Sequence, residues 1–188
     1  MAVDVGSARI GEWMQTYTGK KFWPMDPRPE EIDIIDIGRA LSKMCRYGGH
    51  SLKFYSVAEH CVLCSRAAPA HLKMTALLHD ASEAYLVDVP RPIKPALDNY
   101  YKIEANLMQV ISKKFGAVWP LPPEVKQIDN AILRDERLAI MAHMDVPSEI
   151  WGDAAEGLGV EIECWNPERA FQEFLKECTA ANYARLAA

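Results

Sequence analysis

Residues 75–94 read TALLHDASEAYLVDVPRPIK. The stretch opens as an apolar helix, closes in a proline-stiffened turn, and sets His79 and Asp80 side by side near its middle. A carboxylate among apolar side chains costs several kcal/mol unless a cation or hydrogen-bond donors accompany it. Imidazole nitrogen plus carboxylate oxygen is the mixed donor set of a first-row divalent metal site. Taken as an isolated dipeptide, His79-Asp80 reads better as an exposed pair, so the rest of the chain has to decide.

Helical signals lie on both sides. The spacing predicts one helix from about Ala70 to Ala84, with Leu72, Ala76 and Leu77 inward and His79-Asp80 near one flank. Upstream, IDIIDIGRALSKMCRY predicts a helix over 32–47 with Ile37, Leu41 and Met44 on its apolar stripe, stopped by Gly48-Gly49. Ser56-Val57-Ala58-Glu59 has the pattern of a capping box and opens a helix that carries His60. Downstream, a long helix fits Asp98 to Phe115, with Ile103, Leu107, Val110 and Ile111 as its stripe. Pro122-Pro123-Glu124 begins another, through Ile128, Ile132, Leu133 and Ile140 to about His143. Asn166-Pro167-Glu168 supplies an N-cap, an N1 proline and an acidic first turn for a last helix with Phe171, Phe174 and Leu175 inward. Residues 157–165, GLGVEIECW, read as loop or one short strand, and residues 10–30 as a small hairpin or ordered arm turning at Thr18-Gly19. The expected fold is all-α, one domain over 1–188: an arm over 1–31, a helical core over 32–145 and a C-terminal helical segment over 146–188.

Composition narrows the function classes. The 188 residues are 49% hydrophobic with net charge −5 and no long run of like charge, so neither nucleic acid nor an anionic membrane surface is an expected partner. No stretch nears the ~20 apolar residues that span a bilayer, and the N-terminus lacks a basic, then apolar, leader. Five cysteines without framework spacing fit a reducing compartment, and the expected location is the cytoplasm. Cys61 and Cys64 form a C-x-x-C with no second pair to complete a zinc site, and are read as small buried residues one turn apart. Trp13, Phe22 and Trp23 in the arm, taken as exposed aromatics, suggest a homo-oligomer.

Several polar groups fall among apolar neighbours. His60 lies one turn from Val57 and Cys64; Glu83 is four residues after His79 and three after Asp80; Asp88, Arg91 and Lys94 follow in the proline-rich segment. Asp129 has Val125, Ile132 and Leu133 at helical offsets, but Asp135 also has apolar neighbours, and spacing does not separate the two. Two histidines and two aspartates from three helices can enclose a divalent ion, which would lower the pKa of a bound water towards neutrality. A carboxylate one turn along, such as Glu83, could orient that water or take its proton.

These residues resemble the HD-domain metal-dependent phosphohydrolase superfamily, and within it the small nucleotide phosphohydrolases similar to 5′-deoxynucleotidases. The carrying segments are RYGGHSLKFYSVAEH (46–60), LLHDASEAYLVDVPRPIK (77–94) and VKQIDNAILRDE (125–136). The resemblance implies an all-helical fold and a metal held by His60, His79, Asp80 and Asp129, with the V-K-Q-x-D context favouring Asp129 over Asp135. It implies Glu83 and Asp88 as catalytic carboxylates, and Arg46, Lys94 and Lys126 as phosphate contacts. Tyr47, beside Arg46, could pack on the base or sugar. The chain departs from the better-known deoxynucleotidases at Tyr47-Gly48-Gly49, where those have a tryptophan-containing segment, and in its short span between His60 and His79. His50 is an extra polar group near the site.

The implied activity is hydrolysis of a deoxynucleoside 5′-monophosphate to deoxynucleoside and phosphate, with a small-molecule nucleotide as substrate. Cleavage of a deoxynucleoside triphosphate to tripolyphosphate is the nearest alternative, followed by a nucleotide-binding HD protein without turnover. Mixed N/O donors do not choose among Mn, Co, Fe, Ni and Zn.

Overall fold

The computed structural model describes residues 8–145 and 156–186. A short antiparallel hairpin, β1 (Met14–Gln15) and β2 (Lys21–Phe22), leads into seven α-helices among those residues. They are α1 (Ile34–Lys43), α2 (Val57–Ala67), α3 (Lys73–Leu77), α4 (Glu83–Leu86), α5 (Tyr100–Phe115), α6 (Pro123–Ile140) and α7 (Pro167–Leu186). The architecture is all-α with a minor hairpin, as expected. No helix among the described residues is long and apolar enough to cross a membrane.

Helix α2 is the axis of the fold. Every residue from Val57 to Ser65 is buried, the signature of a helix enclosed on all sides. Val57, Ala58, Cys61 and Val62 join an apolar cluster with Ile37, Leu41, Leu77, Leu107, Ile111 and Phe174. Leu63 and Cys64 join a second cluster with Leu72, Ala76, Val125 and Ile132. Helix α7 packs along α1, α2 and α3. Gly38 permits the α1–α7 approach: a Cβ there would lie 2.8 Å from the Phe174 ring.

Several expectations are corrected. The helix predicted over 32–47 ends at Lys43, and Arg46–Gly49 form a separate tight turn in which Tyr47, Gly48 and Gly49 all have positive φ. In the box at the start of α2, the Ser56 hydroxyl does accept from Glu59 N–H at 3.0 Å. The Glu59 carboxylate, however, turns away and accepts from the backbone N–H groups of Glu163, Cys164 and Trp165. Phe22 is fully buried and stacks on Tyr85 with centroids 4.0 Å apart, so it adds nothing to an exposed aromatic surface. Residues 157–165, by contrast, are loop, one of the two forms expected, with Leu158, Val160 and Ile162 packed on the second cluster.

The most consequential correction concerns residues 70–84. The predicted single helix is broken into a short 3-10 turn (Ala70–Leu72), α3, a tight turn over 78–82, and α4. Within the turn, backbone bonds span three residues: Ala81 N–H to Leu78 O and Glu83 N–H to Asp80 O, each 3.0 Å. In a continuous helix, adjacent side chains do not face one another. The tightened backbone lets His79 and Asp80 reach the same point.

Candidate metal centre

Four donor atoms from three parts of the chain converge. His60 Nε2 on α2 lies 3.2 Å from His79 Nε2, 3.2 Å from Asp129 Oδ1 on α6 and 3.7 Å from Asp80 Oδ2. His79 Nε2 lies 3.3 Å from Asp80 Oδ2 and 3.6 Å from Asp129 Oδ1. Metal–ligand bonds of about 2.0–2.2 Å at octahedral to tetrahedral angles place neighbouring donors about 3.0–3.5 Å apart. The observed separations are those of a coordination polyhedron, within a few tenths of an ångström. The residues therefore fit a divalent ion.

The outer nitrogens support the same reading. His60 Nδ1 pairs with Glu136 Oε1 at 2.7 Å, and His79 Nδ1 with the Ala76 carbonyl at 2.7 Å. With Nδ1–H donated outward, each ring turns a basic Nε2 inward, the arrangement that orients metal-binding histidines. Glu136 is fully buried and also accepts from Arg46 at 3.3 Å and from the Tyr47 hydroxyl. Arg46 reaches on to Asp80 Oδ2 at 3.5 Å, so one guanidinium braces a donor and a donor's support. Tyr47 holds a left-handed backbone (φ 57°) that costs a side-chain-bearing residue roughly 1–2 kcal/mol. Its hydroxyl contact with Glu136 ties that turn to the centre.

The centre's field favours added positive charge. Burial opposes charging of His79, yet Asp80 and Asp129 hold its pKa well above the ordinary imidazole value. His60 is likewise raised against burial and the nearby Arg46 charge, with Glu136 and Asp129 among the groups that raise it. Burial pushes Asp80 up, but His79 and His60 pull it down to about 2. Asp129 is held far below the carboxylate range for the same reason. A cluster that stabilises cationic partners this strongly suits a divalent cation.

Beside it stands a carboxylate with the opposite shift. Glu83, on the first turn of α4, is buried, and its Oε2 has no hydrogen-bond partner. Burial, reinforced by the charges of Asp80 and Asp88, raises its pKa well above the usual value. Lys94 lies 3.9 Å from Glu83 Oε1 and is bonded to Glu104 at 3.0 Å. Half-buried Asp88 is also raised, first by burial, with Arg46 and Lys94 opposing.

The other sequence-predicted residues divide clearly. Asp129 enters the cluster, whereas Asp135 accepts from Leu158 and Gly159 N–H at 2.7 and 3.2 Å and pins the loop. Lys126 is exposed on α6, one turn before Asp129, and His50 is exposed on the turn after Arg46. Arg46 and Tyr47 are turned to Glu136. Arg91, which had no predicted role, is exposed at the rim with its guanidinium 3.9 Å from Asp129 Oδ2. Glu136 was not among the predicted site residues, while Cys61 and Cys64 are buried as expected and also border the centre. Cys64 Sγ is 3.7 Å from His60 Nε2, and Cys61 groups with His79 and Asp80. Glu136 lies seven residues after Asp129, two helical turns along the same face, and that spacing was the available signal.

No family model matches the chain. It is 33% identical over 129 residues to the uncharacterized protein RCAP_rcc00048 of Rhodobacter capsulatus, an alignment covering 63% of this chain and 66% of that protein. It is 40% identical over 125 residues to the uncharacterized protein YfdR of Escherichia coli strain K12, covering 66% of this chain and 70% of that protein. At that identity and coverage, the chain belongs to the same family as YfdR.

Proposed function

We propose that the protein is a metal-dependent phosphohydrolase of the HD type acting on a nucleotide, most simply a deoxynucleoside 5′-monophosphate. The observation that carries this reading is the convergence of His60, His79, Asp80 and Asp129 beside a buried carboxylate of raised pKa. When bound, a divalent ion there supplies a water of lowered pKa and offsets charge on phosphoryl oxygens. The mixed nitrogen and oxygen donors admit Mn, Co, Fe, Ni or Zn.

The chain's own groups have distinct tasks. Glu83 Oε2, buried and without a partner, takes the proton of the attacking water and returns it to the leaving oxygen. Burial chiefly keeps that carboxyl's proton affinity high, and the charges of Asp80 and Asp88 add to it. Arg46 holds Asp80 and Glu136 in place and carries positive charge next to the reacting phosphate. Arg91, exposed with its guanidinium 3.9 Å from Asp129 Oδ2, and Lys126, exposed one turn before Asp129 on α6, meet the substrate's phosphate from the solvent side.

The supply of cations favours the monophosphate over the triphosphate. Arg46 is engaged with two carboxylates and Lys94 with Glu104, so neither is free to hold a polyphosphate tail. The test is an assay of metal-replete protein against deoxynucleoside mono- and triphosphates with added Mn or Co. Release of inorganic phosphate from monophosphates is expected. Tripolyphosphate release would favour the triphosphohydrolase alternative. No turnover of any nucleotide would reject hydrolysis and favour a binding protein.

A further inference from the structure

Resting on the metal-centre reading above, we propose that Cys64 is a further donor to the cation, so that the centre takes a thiophilic divalent ion such as zinc or cobalt. Cys64 follows His60 by one turn on α2 and shares its face. Its sulfur lies 3.7 Å from His60 Nε2, the atom that is itself within 3.2–3.7 Å of the other three donors. The ligand atoms of His60, Cys64 and His79 all lie within 4.8 Å of one another, and all three residues are buried. Bonds of about 2.3 Å to sulfur and about 2.0–2.1 Å to nitrogen, at a tetrahedral angle, separate the two donors by about 3.6 Å. The observed distance matches.

A buried cysteine is ordinarily a small apolar filler, and Cys64 does border Leu63, Leu72, Ala76, Val125 and Ile132. Its sulfur nevertheless meets the inward-facing nitrogen of a histidine whose other nitrogen is fixed by Glu136. Cys61 is the internal comparison. It groups with His79 and Asp80 and is hydrogen-bonded to His79, whereas Cys64 groups with His60 and His79, so each thiol neighbours two of the four donors and the two variants tell them apart. As the sulfur–metal bond forms, the Cys64 thiol gives its proton to solvent. A sulfur donor shifts preference away from Mn and Mg, which favour oxygen, and towards Zn and Co.

The experiment is spectroscopic and uses the full chain under reducing conditions. Cobalt(II) is titrated in while the visible d–d bands and the near-ultraviolet thiolate-to-cobalt charge-transfer band are recorded. The parent protein is expected to show both. Cys64→Ser is expected to keep the visible bands and lose the charge-transfer band, and Cys61→Ser to keep both. Visible bands without a charge-transfer band in the parent would overturn the role of Cys64 and leave the metal centre standing. Absence of cobalt binding would overturn the metal centre itself. Loss of the band in Cys61→Ser, with retention in Cys64→Ser, would also overturn the assignment. Should Cys64→Ser not fold, X-ray absorption at the zinc edge of the zinc-loaded parent decides. A sulfur shell at about 2.3 Å is expected, and a shell of nitrogen and oxygen alone overturns the proposal.

Discussion

Glu136 Oε1 sits 2.7 Å from His60 Nδ1, with both side chains fully buried. Replacing this carboxylate separates its two roles. Glu136→Gln keeps shape and an acceptor oxygen but removes the charge that fixes the imidazole, and is expected to weaken metal binding by roughly 10–100-fold. Glu136→Ala also takes from the buried Arg46 guanidinium one of the two carboxylates it faces and should cost about 3–5 kcal/mol of stability. Competition with a chelator measures the first effect and urea unfolding the second. Unchanged affinity in Glu136→Gln would remove Glu136 from the centre.

Asp80→Ala and Glu83→Ala should part company. Asp80 supplies a donor oxygen 3.3 Å from His79 Nε2, so its loss should abolish metal retention through gel filtration. Glu83 contacts no donor atom by hydrogen bond, so Glu83→Ala should retain metal and lose about 10²–10⁴-fold in turnover. Elemental analysis beside a phosphate-release assay reads both. A Glu83→Ala protein as active as its parent removes Glu83 from the mechanism.

Protonation of Glu83 links activity to stability. Its folded pKa is raised from 4.5, chiefly by burial, so the folded state binds more protons than the unfolded state above that pH. The stability it contributes is complete below pH 4.5 and is lost as pH rises through the raised folded value. Turnover, which needs the ionised form, should rise over the same interval. Glu83→Gln should therefore gain thermal stability at neutral pH while losing activity. Thermal melts of chelated protein from pH 5 to about pH 8 check this, and a parallel pH profile for mutant and parent would contradict it.

Val87 ends α4 with φ 61° and ψ 160°, a conformation that only glycine adopts without cost, and its side chain is 61% exposed. The strain is worth about 1–3 kcal/mol. The added freedom of glycine in the unfolded chain costs back roughly 0.5–1 kcal/mol. Val87→Gly is thus expected to stabilise by about 1 kcal/mol, read as a higher urea midpoint at constant slope.

Arg91→Ala tests the rim. Loss of one charged hydrogen bond to phosphate, worth about 1.5–3 kcal/mol, should raise KM by tenfold or more with kcat little changed. Steady-state kinetics on the best monophosphate provides the measurement. An equal fall in kcat would move Arg91 from binding to chemistry.

Much of this was legible from periodicity and caps. The stripe Leu107–Ile111 located α5, and Asn166-Pro167-Glu168 marked the start of α7. Four residues seen among apolar neighbours, His60, His79, Asp80 and Asp129, do meet in space, although only the resemblance chose Asp129 over Asp135. What stayed hidden depends on partners distant in sequence. A helical repeat cannot register the turn at 78–82, because Leu78, Ala81 and Tyr85 remain buried either way. Phe22 looked exposed because its partner Tyr85 is sixty-three positions downstream. An acidic residue on an amphipathic helix is usually solvated, so only its seven-residue spacing from Asp129 set Glu136 apart from Glu124.

The three backbone amides that clasp Glu59 set an order on the protein's birth. Residues 163–165 emerge from the ribosome about a hundred positions after the helix whose carboxylate they satisfy. Until they arrive, Glu59 must stay in water, and the turn bearing His60 must stay with it. Completion of the helix that carries His60 accordingly waits on the translation of residues 163–165.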